Sequence, residues 1–358
     1  MKPIEILVIN PGSTSTKIAV FQNNRAVFQK NIKHSPEELQ PFKRVADQYE
    51  FRKTHILTEL HAANINISDI DYVVGRGGLL KPIESGVYEV NEAMIRDLKT
   101  LTIREHASNL GALIAADLAG MIPGSRAFIA DPIVVDEMDD VARIAGHPRF
   151  TRLSIFHALN QKAVARTYSA SINRKYDDLN LIVAHLGGGI SVGVHKKGRV
   201  IDVNQALDGE GPYSPERAGT LPVGQLIDLC FSGEFSMEEV RKMVVGKGGL
   251  VAYLGTSAAN EVEERAKSGD QFAAKIYEGM AYQVAKEIGA GSAVLKGEVD
   301  AILLTGGIAY NDLFVEMVTE RISWIAPVMI FPGEDEMRAL SQNMLMVANG
   351  DLIPKTYV

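Results

Sequence analysis

Short apolar runs, each ended by polar turn residues, open the chain. Residues 4–9 (IEILVI) predict a buried strand that ends at the turn signal NPG of residues 10–12. Two more apolar runs, residues 17–21 and 26–28, are separated by the polar segment 22–25, which suits the turn of a hairpin. The pattern therefore predicts an antiparallel meander at the start of the chain.

Helical periodicity alternates with further strand-like runs in the rest of the chain. The predicted helices cover residues 43–64, 91–101, 107–119, 270–295, 311–324 and 334–348. The predicted strands cover residues 72–75, 127–131, 181–185, 191–201, 301–305 and 328–331. The longest helix carries an apolar residue at every fourth position, namely Phe272, Ile276, Met280, Val284 and Ile288. The alternation of strands and helices predicts layered α/β sheets.

One pattern occurs twice. Residues 191–201 repeat the arrangement of residues 17–27 at an offset of 174 residues, which is close to half the chain. Val20 corresponds to Val194 in this alignment, and Arg25 corresponds to Arg199. An internal duplication, with one α/β domain in each half, is the interpretation that this repeat favours.

Composition and charge restrict the class of protein. The 358 residues are 46% hydrophobic, enough to fill two cores, and the net charge of -7 argues against binding to nucleic acid or to anionic membranes. Cys230 is the only cysteine, which excludes an internal disulfide and favours the cytoplasm; its apolar helical surroundings predict a core position. No signal-peptide pattern and no apolar run of about 20 residues occurs, so we expect neither export nor membrane insertion.

Three turns rich in Gly, Ser and Thr directly follow apolar strands. They are residues 10–17 (NPGSTSTK), 185–191 (HLGGGIS) and 305–311 (TGGIAYN). Glycine allows a ligand to approach the backbone closely, and exposed N–H groups with hydroxyls can surround phosphate oxygens. Neither the phosphate-loop signature nor the dinucleotide fingerprint is present in the sequence. The three turns therefore predict nucleotide binding by another arrangement.

The turns resemble those of the superfamily that contains acetate and sugar kinases, heat-shock chaperones and actin. Residues 75–78 (GRGG), 105–112 (EHASNLGA) and 130–138 (ADPIVVDEM) narrow the resemblance to the acetate kinase family and, within it, to the butyrate kinases. This resemblance implies two duplicated actin-like (ribonuclease H-like) α/β domains with an interdomain cleft. The first, on the acyl substrate side, would be residues 1–154 plus about 335–358, and the second, on the nucleotide side, residues 155–334.

The resemblance also implies an activity. An enzyme of this family transfers the γ-phosphoryl group of ATP, with Mg²⁺, to the carboxylate of a short-chain fatty acid, and produces an acyl phosphate and ADP reversibly. A fatty-acid carboxylate is already an anion at neutral pH, so the reaction needs positive charge more than it needs a base. Relatives are oligomers, so we expect a homo-oligomer, a dimer or larger.

Individual residues acquire roles through the same resemblance. The implied catalytic residues are Arg76, His106, Asp131, His157 and Arg217. The implied contacts to nucleotide and phosphoryl group are Asn10, Ser13, Thr14, Lys17, His185, Gly187, Gly188, Gly189, Gly306, Gly307 and Asn311. The implied ligands of Mg²⁺ are Asp131 and Glu336, with Glu334 and Asp335 as alternatives to Glu336.

Other functions stay open at this point. Acetate, propionate and branched acids differ from butyrate by one or two methylenes, each contributing about 0.8 kcal/mol when buried. A chaperone-like or assembly ATPase would use the same fold without making acyl phosphate. A sugar kinase would need a carboxylate base, a role that Asp131 could fill.

Overall fold

The computed structural model describes residues 2–100 and 107–358, which form two compact units. The first comprises Met1–Val135 and Asp335–Val358, and the second comprises Asp136–Glu334. The sequence predicted a domain boundary after residue 154, whereas the second unit of the structure begins at Asp136. Residues 136–154 pack with the second unit, where the Asp139 amide donates to the Ile201 carbonyl and Arg152 donates to Asp202.

The first unit contains a seven-stranded sheet and five helices among its described residues. Its strands are β1 (Glu5–Pro11), β2 (Ser15–Gln22), β3 (Arg25–Lys33), β4 (Tyr72–Arg76), β5 (Val87–Glu89), β6 (Arg126–Ala130) and β12 (Lys355–Thr356). Its helices are α1 (Pro36–Leu39), α2 (Tyr49–Ala62), α3 (Glu92–Thr100), α4 (Asn109–Gly120) and α12 (Glu336–Ala348). The strand order is β12-β5-β6-β4-β1-β2-β3.

The position of each strand in this sheet follows from its side chains. β1 is aliphatic and buried along almost its whole length, as expected of a central strand covered on both faces. β3 is polar and largely exposed and lies at the edge of the sheet. Oδ1 of Asn91 accepts a hydrogen bond from the Met94 amide and so caps the start of α3. The predicted meander of β1, β2 and β3 is confirmed.

The second unit contains a five-stranded sheet with order β11-β10-β7-β8-β9. Its strands are β7 (Asn180–Leu186), β8 (Ile190–Lys196), β9 (Arg199–Val203), β10 (Ala301–Gly306) and β11 (Val328–Pro332). Its helices are α5 (Ala158–Ser171), α6 (Val223–Phe231), α7 (Met237–Val244), α8 (Gly249–Leu254), α9 (Ala259–Lys267), α10 (Gln271–Val294) and α11 (Asp312–Ile322). Every residue of β7 and β10 is buried, which places these strands at the centre.

The two sheets share a topology that confirms the predicted duplication. In the first unit β6, β4 and β1 are parallel, while β2 and β3 continue antiparallel; β11, β10, β7, β8 and β9 repeat this arrangement. The hairpin of β2 and β3 and the hairpin of β8 and β9 also have a break in register at corresponding places, after Val20 in β2 and after Val194 in β8. The offset of 174 residues therefore aligns a backbone irregularity as well as a sequence pattern.

The predicted apolar stripe of α10 is wrong at its first residue. Phe272 is 54% exposed, whereas Met280, Val284 and Ile288 are fully buried. Each step of four residues advances the side chain about 40° beyond a full turn, so a strict spacing of four leaves the buried face. Tyr277, one position after the predicted Ile276, lies on the buried face.

The prediction of a core position for Cys230 is wrong, because this side chain is exposed on α6. No residue of α6 is buried against the described residues. Val223, Ile227 and Phe231 are 66%, 52% and 86% exposed, so the helix presents apolar side chains to solvent. The apolar composition of this segment indicates a helix with apolar side chains, but it does not identify which surface, if any, covers them.

None of the helices in the described ranges combines the length and the apolar character that a bilayer span requires.

Candidate functional site

Three predicted site residues form one cluster in the first unit. Arg76, at the end of β4, makes two parallel contacts to Glu336 at the start of α12: Nη1 lies 3.0 Å from Oε2, and Nη2 lies 3.0 Å from Oε1. Nδ2 of Asn10, in the neighbouring strand β1, donates to the same Oε2 at 2.6 Å. This is the paired geometry in which a guanidinium binds a carboxylate most strongly.

The glycines around Arg76 are required by packing. A Cβ atom on Gly75 would lie 2.2 Å from the carbonyl oxygen of Gly111 in α4. A Cβ on Gly78 would lie 2.4 Å from Oδ1 of Asn109, which accepts a hydrogen bond from the Leu79 amide. Helix α4 therefore lies directly on the end of β4, and this contact fixes the backbone that carries Arg76.

The first glycine-containing turn lies beside this cluster. Lys17 is exposed on β2 and pairs in register with Asn10, which places both side chains on the same face of the sheet. Ser13 and Thr14 are exposed in the turn. The structure thus gathers Asn10, Lys17 and Arg76 at one edge, with the two hydroxyl-bearing residues in the adjoining turn.

A residue that the sequence analysis did not identify holds this turn. The guanidinium of Arg52 is fully buried and donates to the carbonyl oxygens of Gly12, Ser13 and Ser15 at 2.8–3.0 Å. It also donates to Oε1 of Gln48. Burial lowers the pKa of Arg52 to about 10, so the group stays charged at neutral pH. The missed signal is an arginine on the buried face of α2.

His34, directly after β3, supports the same turn. Its Nε2 lies 2.9 Å from the hydroxyl of Thr16, and its ring packs against Phe51 and His55. Burial, with a smaller contribution from the charge of Arg52, lowers the pKa of His34 to about 4. The imidazole is therefore neutral in the folded protein at neutral pH.

Three consecutive carboxylates, considered together from sequence, have different partners. Oε1 of Glu334 lies 3.0 Å from Nε2 of His185. Asp335 accepts a hydrogen bond from the Arg338 amide and thereby caps α12. Glu336 binds Arg76 and Asn10 as described above. The preference for Glu336 over its neighbours as a metal ligand stays a prediction.

Asp131 follows the end of β6 and is almost fully buried. Its Oδ1 accepts hydrogen bonds from the Ser85 hydroxyl at 2.6 Å and the Gly86 amide at 2.8 Å. Its backbone has φ 38°, a left-handed conformation that is unusual for a residue with a side chain. These contacts hold the carboxylate toward the start of β5.

Two predicted histidines stack on each other in the second unit. The rings of His157 and His185 lie 3.7 Å apart at 11°. Nδ1 of His185 lies 2.8 Å from Oδ1 of Asn160, while its Nε2 faces Glu334. Nδ1 of His157 lies 2.8 Å from the hydroxyl of Ser191. The contacts fix both ring planes. Both nitrogens of His185 have protein partners, and its contact with a phosphate group stays a prediction.

Arg217 lies against the glycine turn that follows β7. A Cβ atom on Gly189 would lie 1.7 Å from Nη1 of Arg217, so only glycine permits this approach. Nη1 donates to the carbonyl oxygen of Ala206 at 2.6 Å. Burial lowers the pKa of Arg217, and the charge of the nearby Glu216 opposes this. In the part of the chain that the structure describes, no carboxylate forms an ion pair with Arg217.

A cavity of about 450 Å³ connects two of the predicted phosphate turns within the second unit. Gly187 and Gly188 line it on one side, and Gly307 and Asn311 line it on the other. Gly306 precedes it with φ 91°, and a Cβ there would lie 2.3 Å from the carbonyl oxygen of Leu186. The cavity is open to solvent, and three glycines are among the residues that line it.

Two further groups that the resemblance implies are His106 and Mg²⁺. His106 lies outside the described residues. No group of three or more His, Cys, Asp or Glu side chains suited to a metal occurs within residues 2–100 and 107–358. Mg²⁺ commonly takes only one or two protein carboxylates and completes its shell with phosphate oxygens and water, so Glu336 and Asp131 remain chemically suitable ligands.

We expect His34 to make the stability of the protein depend on pH. The unfolded chain takes up a proton at this histidine near pH 6.5, whereas the folded protein does so only near pH 4. The free energy of unfolding should therefore fall as the pH decreases through this interval. Urea unfolding at about pH 7.5 and about pH 5 should show a smaller decrease for His34→Gln than for the wild type. Equal decreases would contradict the assignment.

The chain is similar in sequence to one protein family and in fold to several solved structures. Residues 150–326 match the model of the acetokinase family. The acetate kinase of Porphyromonas gingivalis has a TM-score of 0.78 at 19% identity, covering 96% of this chain and 100% of that chain. The acetate kinase of Entamoeba histolytica scores 0.75 at 17% identity, covering 94% and 98%.

A propionate kinase from Francisella tularensis subsp. tularensis SCHU S4 scores 0.74 at 18% identity, covering 95% of this chain and 98% of that chain. Likenesses at these identities show the fold, and they confirm the predicted pair of actin-like α/β units. Residues 150–326, which form most of the second unit, match the acetokinase family model, and the chain has the fold of these solved acetate kinases over nearly its whole length.

Proposed function

We propose that this protein is an ATP-dependent kinase that phosphorylates the carboxylate of a short-chain fatty acid, with butyrate as the preferred acid. The observation that carries the proposal is Arg217. Its guanidinium is largely buried against the Gly189 backbone, and it has one carbonyl partner and no ion pair among the described residues. A buried charge with so few partners is costly, and an anionic ligand such as a phosphoryl group would offset that cost.

Arg76, in the first unit, has the second guanidinium group to which we assign a role in the reaction. Arg76 binds Glu336 through two parallel contacts, which demonstrates that its donors are arranged to hold a carboxylate. We assign the same group to the acid substrate or to the transferring phosphoryl group. Asn10 and Lys17, on the same face, would contact the phosphoryl oxygens.

The cavity of the second unit suits the nucleotide. Gly187 and the exposed Gly188 line it with backbone that phosphates can approach closely, and the turn that ends at Asn311 would cover the adenosine. Nδ2 of Asn311 donates to the hydroxyl of Tyr277, which fixes the side of the cavity opposite the glycine turn.

The proposed step is a direct transfer. One carboxylate oxygen of the acid forms a bond to the γ-phosphorus, and the bond from that phosphorus to the β–γ bridging oxygen breaks, so the electron pair leaves with ADP. No proton is transferred, because the acid enters as its anion. Arg76, Arg217 and His157 would stabilise charge on the transferring oxygens, and His157 would do so as a hydrogen-bond donor.

Mg²⁺ belongs to the proposal as a group that Glu336 and Asp131 would hold. When bound together with the nucleotide, it supplies further positive charge at the phosphate oxygens. Both protein groups are carboxylates, which is the donor type that this ion prefers.

The preference for butyrate rests on the motif resemblance, since the three solved relatives are acetate and propionate kinases by name. Two additional buried methylenes should raise kcat/KM for butyrate over acetate roughly fifteenfold. Rates with acetate, propionate, butyrate and isobutyrate, measured as hydroxamate formed from acyl phosphate, would check this order. A preference for acetate would overturn the butyrate assignment and leave the carboxylate kinase intact.

The same assay tests the proposed activity itself. ATP hydrolysis without hydroxamate would favour a chaperone-like or assembly ATPase, and ADP release that depends on added sugar would favour a sugar kinase. Either result would contradict the proposal.

We expect Gly189→Ala to reproduce the loss of Arg217. The new methyl group would occupy the position of Nη1 and displace the guanidinium, so kcat should fall about 10²-fold, as for Arg217→Ala. The double variant should be no worse than either single one, because both changes remove the same contact. Gly289→Ala on α10, where a Cβ meets nothing within 4 Å, is the control. Additive losses in the double variant would mean that the two residues act independently, and would contradict the prediction that Gly189→Ala acts by displacing Arg217.

A homo-oligomer is also part of the proposal. Helix α6 exposes Val223, Ile227 and Phe231, and apolar side chains grouped in this way favour coverage by another surface. Light scattering should give a mass of two or more chains, and Phe231→Glu should lower it. A wild-type mass of one chain would contradict the oligomer. The cytoplasmic location stays a prediction.

A further inference from the structure

A chain of buried hydrogen bonds leads from His157 into the interior of the second unit. Gln161, one turn further along α5, contacts Ser191 in β8 and His195 in the same strand, and His195 contacts Tyr176. Ser191, Gln161 and His195 are fully buried. The direction of each hydrogen bond in this chain follows from the donors and acceptors present.

The amide of Gln161 has only one orientation that fits. One of its terminal atoms lies 3.0 Å from the carbonyl oxygen of Ser191, which only accepts. That atom must be the nitrogen, and its second hydrogen points to the Ser191 hydroxyl at 2.9 Å. Oε1 therefore faces Nε2 of His195 at 3.0 Å and accepts from it.

The far end of the chain agrees with this direction. Burial, and then the charges of Lys162 and Arg166, lower the pKa of His195 well below its usual range, so the ring is neutral. A neutral ring that donates through Nε2 accepts through Nδ1, which lies 2.7 Å from the hydroxyl of Tyr176. Tyr176 is consequently the donor in that bond.

Ser191 transmits the direction to His157. Its hydroxyl oxygen accepts from Nε2 of Gln161 and, at 3.5 Å, from the backbone amide of His157. With both lone pairs engaged, its remaining function is to donate, and Nδ1 of His157 is the partner at 2.8 Å. Stacking on His185 keeps the ring in the plane that this bond requires.

We infer that Gln161 and Ser191 are positioning residues that hold His157 as the tautomer with its proton on Nε2. The inference rests on the proposed function, in which His157 donates a hydrogen bond to the transferring phosphoryl group. The opposite tautomer would present a lone pair to those oxygens and would repel them. Which ring nitrogen carries the proton is set here, as in other histidine sites, by the hydrogen bond that the other nitrogen makes.

Nitrogen NMR of the histidine rings tests the tautomer without any substrate. The signals of His157 are identified as those absent from His157→Gln, and we expect the pattern of a ring protonated at Nε2 in the wild type. Ser191→Ala removes the donor to Nδ1, and the fraction protonated at Nδ1 should rise. Gln161→Met, whose flexible chain fills the same space, should act in the same direction if Ser191→Ala does not fold.

Kinetics test whether the tautomer matters. Ser191→Ala should lower kcat about tenfold and leave the KM values for ATP and acid within about twofold. In the background of His157→Gln the same change should have no further effect, because its target is gone. Ser169→Ala is the matched control: this serine is also buried, on α5, and its hydroxyl donates only to the Arg166 carbonyl. It should alter neither the tautomer nor kcat.

Each other outcome has a defined meaning. A wild-type His157 protonated at Nδ1 would overturn the inference, whatever the activity. A tautomer that Ser191→Ala leaves unchanged would also overturn it. A changed tautomer with unchanged kcat would overturn the role of that tautomer in the reaction, as would an equal loss in the His157→Gln background. Absence of hydroxamate in the wild type would refute the proposed function instead, while the NMR result would still decide the tautomer.

Discussion

This site depends on one constraint: the positive charge of Arg217 lies against the backbone of Gly189 without an ion-pair partner among the described residues. Arg217 can hold that position only because residue 189 has no side chain and because no described carboxylate pairs with it. Arg76 represents the opposite solution, with its charge already matched by Glu336. A reaction between two anions needs such groups in place before the substrates arrive, since charges that reorganise during the reaction contribute less.

Much of the fold and part of the site could be predicted from the sequence. Apolar runs and turn residues located most strands, and the ends of β1 and β4 brought Asn10 and Arg76 together as parallel neighbours. Arg52 was missed because a charged residue on a helix normally faces solvent, and only the structure reveals the carbonyl oxygens it binds. Phe272 and Cys230 were misplaced because composition identifies apolar helices without identifying their buried face.

The glycines illustrate what sequence patterns cannot separate. Gly75, in strand β4, accommodates the backbone of helix α4, whereas Gly189 accommodates a side chain, and Gly188 borders an open cavity. All three occur in glycine-rich segments at or just after the end of a strand. The distinction depends on which atoms lie within about 3 Å of the missing Cβ, and those atoms belong to residues distant in sequence.

Arg52 also joins distant parts of the first unit into one cooperative element. The carbonyl oxygens of the first turn have their guanidinium partner in helix α2, some 40 residues further along the chain. Whenever α2 detaches locally, the turn loses the group that shapes it. Ligand affinity at this turn is consequently linked to the local stability of a helix that the ligand need not touch, and substitutions on the far side of α2 would weaken binding by raising the population of opened molecules.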